Sequence, residues 1–316
     1  MRSSLVVFLA VALLAVSCTS LIPGKGQTGG ETATGTKGLA LSFLANAPPK
    51  RVLDAEQFDI VVELQNLGAE PIERVLLDLS GFDPNTLRVG GATRIVDNLD
   101  GTRVTKVPGY AVEEWSASIN PESIIDTYIP ALLVTGCYSY RTVAAATVCI
   151  DTGFGKSDVG SKACSPANIK ISQGQGAPVA VTEIDIEPSS KFTRFIITVE
   201  NLGNGLVFDT RPGSGKIELE SCSPRGKGLE RIDIDKVTIE DARVGDSPII
   251  GSCRPDNGGL VQARLVNGKA VFICEYNYAE GGSTGLSAFR TPITITLSYG
   301  YRTSVSKQIE IVKTPG

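Results

Sequence analysis

The chain has 316 residues and a net charge of −4, from 30 Lys and Arg against 34 Asp and Glu. No dense basic patch stands out, so nucleic acid is not an expected partner. There is no His, which removes the commonest general base and transition-metal ligand; no catalytic residue, metal site or cofactor is assigned and no enzyme is expected.

Residues 1–17 read as an export signal. Arg2 supplies a short positive region, and Leu5 to Val16 form an apolar run of twelve. That run is short for a membrane span and fits a secretory signal. It ends in Ala-Val-Ser-Cys, which resembles the lipobox of prokaryotic lipoproteins. The resemblance implies lipidation at Cys18, cleavage just before it, and a membrane anchor at the cell surface. The alternative is a plain signal peptide cut nearby. Residues 18–38 are rich in Gly and Thr without hydrophobic period and read as a flexible tether of roughly 25 Å root-mean-square reach.

From residue 39 the pattern is that of short strands. The 34 Gly and 17 Pro, abundant Val, Ile and Thr, and the lack of long helical periods all favour strands and turns. Residues 39–152 contain LALSFL, FDIVVELQN, ERVLLDL, TRIVDN, EEWSASI, ALLVTGCYSY and VAAATVCI. Trp115, in EEWSASI, reads as core rather than as a sugar-stacking platform. Residues 153–177 form a Gly/Ser/Pro-rich connector. Residues 178–316 contain VAVTEIDIE, RFIITVEN, KIELES, RIDIDKVTI, LVQARLV, KAVFICEY, ITITLSYGY and KQIEIV. Val-Asn-Gly-Lys at 266–269 is a hairpin signal. Asp185/Glu187 and Asp233/Asp235 would each put two carboxylates on one strand face, which a solvated face explains as well as calcium does. RPGSGKIE, at 211–218, lacks the residues of a P-loop.

Six further cysteines suggest three disulfides in an exported chain. The spacing favours Cys149–Cys164 and Cys253–Cys274, leaving Cys137 and Cys222, with Cys137–Cys149 as a competitor. Each half holds three, so if all six pair at least one bridge joins the halves.

Two phrases recur. Tyr-Ser-Tyr-Arg-Thr at 138–142 and Tyr-Gly-Tyr-Arg-Thr at 299–303 lie 161 positions apart. Asn-Leu-Gly follows an alternating run at Asn66 and again at Asn201, 135 positions apart, so the second half has 26 more residues between landmarks. Gly in each Asn-Leu-Gly is expected at a positive-φ turn position. A repeat of this length means duplicated domains.

The runs VVELQNLG and ITVENLG resemble the second strand of the CARDB modules, a family of immunoglobulin-like repeats; the whole also resembles surface lipoproteins of archaea. The resemblance implies an all-β chain of two tandem immunoglobulin-like antiparallel β-sandwich domains, 39–152 and 178–316, on a lipid anchor. It implies structural or adhesive contacts, or an accessory role in holding a polysaccharide, glycan or envelope protein. In each repeated phrase the two tyrosines share a strand face. Tyr138, Tyr140, Tyr299 and Tyr301 are expected to pack the end of each sandwich, with Arg141 and Arg302 at turns. The competing reading makes these six residues an exposed contact patch.

Overall fold

The computed structural model describes residues 33–156, 161–210, 219–281 and 287–314. The export signal, Cys18, most of the tether and the RPGSGKIE stretch lie outside the described residues. Residues 32–316 form one compact unit.

The protein is all-β. In the first half, β1 (Leu39–Phe43), β2 (Arg51–Leu53), β3 (Gln57–Asn66), β4 (Ile72–Ser80), β5 (Leu87–Val89), β6 (Thr93–Leu99), the short α1 (Thr102–Thr105), β7 (Gly109–Ile119) and β8 (Thr127–Tyr128) lead into the long β9 (Ala131–Asp151). The second half runs through β10 (Ile169–Lys170), β11 (Val179–Pro188), β12 (Phe192–Asn201), β13 (Leu206–Phe208), α2 (Leu219–Cys222), β14 (Lys236–Val244), β15 (Ser247–Pro248), β16 (Gln262–Arg264) and β17 (Lys269–Asn277). It ends with the long β18 (Ala288–Gln308) and β19 (Glu310–Val312).

An eight-stranded sheet in the order β15-β14-β18-β9-β4-β6, with β13 beside β18 and β16 beside β14, spans both halves. Over it lie two four-stranded sheets, β1-β3-β7-β5 from the first half and β10-β11-β12-β17 from the second. In β3, Phe58, Ile60, Val62 and Leu64 point into the core while Asp59 and Glu63 alternate outward. Trp115, fully buried on β7, belongs to the same core, with the Arg94 guanidinium 5.5 Å from its ring centre.

The two halves share more than a connector. β9 and β18 are antiparallel along all 21 residues, and buried side chains from both halves form one hydrophobic cluster. A three-stranded sheet, β2-β19-β8, joins the last strand of the second half to two strands of the first. Asp54 Oδ1 there accepts hydrogen bonds from the Thr314 backbone and hydroxyl.

Several local expectations change. Each repeated phrase lies mid-way along one continuous strand, not at a boundary between two strands or at a sandwich end. The tyrosine rings of each phrase pack against those of the other, and the backbone ladder runs unbroken through both phrases. Leu219–Cys222 forms a helical turn rather than a strand. Asp233 and Asp235 sit in a turn before β14, with Asp235 at φ 60°, so they do not share a strand face. The Asn267-Gly268 turn forms with both residues at positive φ. It carries the chain from the eight-stranded sheet into β17, which pairs with β12 rather than folding back on β16.

Candidate functional site

The repeated phrases meet. In the β9–β18 register Tyr140 faces Tyr299, Ser139 faces Gly300, and Tyr138 faces Tyr301. The local two-fold axis relating the halves therefore passes between Ser139 and Gly300. Period-two alternation puts all four tyrosines on the inner face, and all are buried. Their rings form a closed cycle with centroid separations of 5.7, 5.9, 6.3 and 6.3 Å, within the range of favourable aromatic contact.

Each hydroxyl has a defined partner. Tyr140 Oη accepts from the Glu70 backbone N–H and faces Asn66 Oδ1 at 3.4 Å. Tyr301 Oη does the same in the other half, accepting from Gly205 N–H and donating to Asn201 Oδ1 at 3.2 Å. Asn66 Nδ2 donates to the Glu70 carbonyl and Asn201 Nδ2 to the Gly205 carbonyl. The two landmarks of the repeat are thus one buried network within each half: the second tyrosine of Tyr-x-Tyr-Arg-Thr fixes the Asn-Leu-Gly turn of the same half. Tyr138 Oη accepts from Leu39 N–H, and Tyr299 Oη from Val179 N–H. Thr142 Oγ1 gives its proton to the Val179 carbonyl, so it accepts from Tyr299 at 2.9 Å. Burial raises the pKa of all four tyrosines above the ordinary value of 10.

This network corrects the role expected for the Asn-Leu-Gly glycines. Gly68 and Gly203 are not in the left-handed region. They are small because a Cβ would fall 1.9 Å from Tyr140 Oη and 2.2 Å from Tyr301 Oη. Close approach, not backbone sign, is what demands glycine there. Buried tyrosines also cannot present a contact surface, so only the arginines of the six-residue patch reach solvent.

The outer face of the same strands is asymmetric. Ser139 is exposed. Arg141 makes a two-pronged contact with Glu240, 2.8 Å from Nε and 2.6 Å from Nη2, beside an open cleft of about 320 Å³ that Arg74 and Glu73 also line. At the equivalent place in the second half, Gly300 is buried, and a Cβ on it would lie 2.4 Å from Phe208 and 2.5 Å from Thr210. The one residue that differs between the phrases differs because Phe208 covers it.

The surplus of the second half explains this cover. β13 and β14 both pair with β18, in the place that the single strand β4 takes beside β9. Among the described residues of this surplus, 219–225 lie against the first half, where Cys222 is bonded to Cys137, and Ile234 pairs with Phe208. Leu76, Cys137, Phe208 and Cys222 form a second small hydrophobic cluster. Arg225 donates to the Leu79 carbonyl at 2.8 Å, lies 3.5 Å from buried Asp78, and stacks over Phe82. Burial raises the Asp78 carboxyl pKa, partly offset by Arg225. Arg302 points to the Cys222 carbonyl at 3.5 Å.

Cys149–Cys164 and Cys253–Cys274 are also bonded, and Cys137–Cys149 does not form. Cys149–Cys164 holds the connector to β9, helped by Lys162 Nζ at 2.6 Å from Asp151 Oδ2. Cys253 follows a short 3-10 turn and ties it to β17, rather than lying in a strand of the hairpin. The cross-half bridge was legible as an odd cysteine count in each half; the folding of the insertion over β4 was not. Glu187 pairs with Arg194 at 3.5 Å, and among the described residues no group of three acidic or sulfur side chains forms a metal site.

The three disulfides mark an oxidising, extracellular environment. Among the described residues no helix is long and apolar enough to cross a membrane. No protein-family model and no curated protein matches the chain. Among solved structures, the collagen adhesin of S. aureus is 8% identical, with 89% of this chain and 93% of that one covered and a TM-score of 0.17. The major capsid protein P2 of bacteriophage PM2 is 8% identical, with 85% and 98% covered and a TM-score of 0.10. Neither likeness carries an argument about fold or function. The chain is thus defined as an all-β, disulfide-braced extracellular protein.

Proposed function

We propose that the protein is a lipid-anchored surface protein whose body consists of two immunoglobulin-like, CARDB-like sandwiches fused side by side through one shared sheet, for structural or adhesive contacts. One observation carries this reading: the halves are locked into a single stiff unit. They share an uninterrupted sheet, a saturated tyrosine network at its centre, and a disulfide that crosses between them. Such a body holds a surface at a fixed orientation. The Ala-Val-Ser-Cys sequence supplies the anchor at Cys18, and the Gly/Thr-rich stretch after it supplies the spacing. No catalytic step is assigned.

The experiment is direct. The native protein is expected to partition into the detergent phase and to yield an N-terminal fragment with lipid on Cys18 by mass spectrometry. Cys18→Ser is expected to stay unprocessed or to be released. An unmodified mature N-terminus downstream of Cys18 overturns the anchor.

The open cleft beside Arg141 and Glu240 favours a second reading, an accessory module that holds a polysaccharide or an envelope protein. A glycan array with the wild type and Arg141→Ala tests it: array signals that the variant loses support it, and an empty array removes the polysaccharide version.

A further inference from the structure

The two halves differ at the edge of their four-stranded sheets. In the second half the edge strand β11 is covered. β10 pairs with it antiparallel, Ile169 with Ile184 and Lys170 with Glu183, and Ile171 N–H donates to the Thr182 carbonyl. The Gln175 side chain adds another rung. Its Nε2 donates to the Val181 carbonyl at 3.0 Å, and Val181 N–H donates to its Oε1 at 2.9 Å. The second half thus displays an extended segment already added to this edge.

The equivalent strand of the first half is β1. Leu39 pairs with Asn66 as Val179 pairs with Asn201, so Leu41 occupies the position of Val181. β1 ends its sheet, and among the described residues no strand lies beyond it. Leu39 N–H turns away from β3 to reach Tyr138 Oη. Alternation in an antiparallel ladder then directs the backbone groups of Leu41 and Phe43 the same way, toward the open side. An edge of this kind is a template for strand addition. Next to it runs a groove of about 740 Å³, with Leu39 and Leu41 on one wall and Thr303 and Ser304 of β18 on the other. Lys37 lies at one end of the edge, and Lys307, its Nζ 5.9 Å from the Phe43 ring centre, at the other.

We infer that the β1 edge and this groove form a strand-addition site for an extended, acidic polypeptide segment of a partner protein. Main-chain hydrogen bonds to Leu41 and Phe43 hold the segment, and Lys37 and Lys307 at the two ends of the edge select its charge. The inference rests on the contact-making function proposed above and names the class of partner.

The test uses the full chain as bait for a displayed library of random octapeptides. Selected sequences are expected to be net acidic. The tightest, made synthetically, is expected to slow amide hydrogen exchange at Leu41 and Phe43 at least about tenfold, while Ala40 and Ser42, already paired to β3, stay unchanged. Thr303→Trp, which fills the groove from the inward-facing position of β18, is expected to abolish that protection while the circular dichroism stays native. The inference is overturned if no octapeptide is selected, if selected peptides leave Leu41 and Phe43 unprotected, or if the binders are neutral or basic. It is equally overturned if those two amides are already protected in the chain alone. Protection lost on dilution would then identify a second copy as the occupant. If octapeptides fail but cell-surface association persists, the groove falls and the contact-making function stands; if they bind as expected but association is absent, that function falls.

Discussion

The two copies of Tyr-x-Tyr-Arg-Thr share an inner face and differ on the outer one. Inside, Tyr140 with Asn66 and Tyr301 with Asn201 make the same bonds. Outside, Arg141 lies at an open cleft and pairs with Glu240, while Arg302 lies under the crossing insertion. A buried hydroxyl without a partner is costly, so a network that satisfies four tyrosines at once leaves little freedom to either copy. The solvent face has no such constraint, and there a 26-residue insertion could be laid over one copy and not the other.

The bridge that enforces the asymmetry offers the largest effect. Cys137 and Cys222 are 85 positions apart, and closing a loop of that size is worth about 4.5 kcal/mol in the chain-entropy model. Cys137→Ser with Cys222→Ser is expected to lose stability of that order in denaturant titration, more than the Cys149→Ser/Cys164→Ser pair, for which the same model gives about 3 kcal/mol. A smaller loss than from the Cys149–Cys164 pair would mean that the insertion is not held to the first half by this bond.

Symmetry of the inner face is tested next. Tyr140→Ala and Tyr301→Ala should each cost about 3–5 kcal/mol, with closely similar values. Gly68→Ala and Gly203→Ala should also destabilise, because the added carbon meets a tyrosine hydroxyl. Widely different costs for the two tyrosines would break the equivalence. Tyr301→Phe isolates the hydroxyl: it strands the Gly205 N–H and should cost about 1–3 kcal/mol.

Alkaline pH probes all four tyrosines together. Burial raises their pKa values in the folded state, so the stability gained by keeping them neutral is complete below about pH 10, where the unfolded tyrosines are protonated as well. It falls as pH rises further, because the unfolded chain then releases protons that the folded chain retains. Absorbance at 295 nm should show the four ionising only together with the loss of native circular dichroism. Their ionisation near pH 10 in a folded protein would contradict the burial.

The outer arginines should matter least. The Arg141 and Glu240 side chains are 59% and 41% exposed, and solvent-screened pairs contribute under about 1 kcal/mol. Arg141→Ala should barely move the melting curve. A loss as large as that of a tyrosine variant would place Arg141 in the structural network rather than at an open cleft.

Sequence alone determined what is local. Alternation placed most strands, the Asn-Gly pair placed its turn, cysteine spacing gave two bridges, and cysteine parity implied a link between the halves. Tertiary structure decided what depends on distant partners. Nothing in Tyr-Ser-Tyr-Arg-Thr says that its partner is the other copy, because strand register is set by packing across 161 positions of chain. The glycines of Asn-Leu-Gly looked like turn residues, and only the approach of a tyrosine oxygen from another strand shows why a Cβ is forbidden. The same holds for the two edges: β1 and β11 are both alternating apolar runs, and only the assembled sheets show that one is covered and the other open.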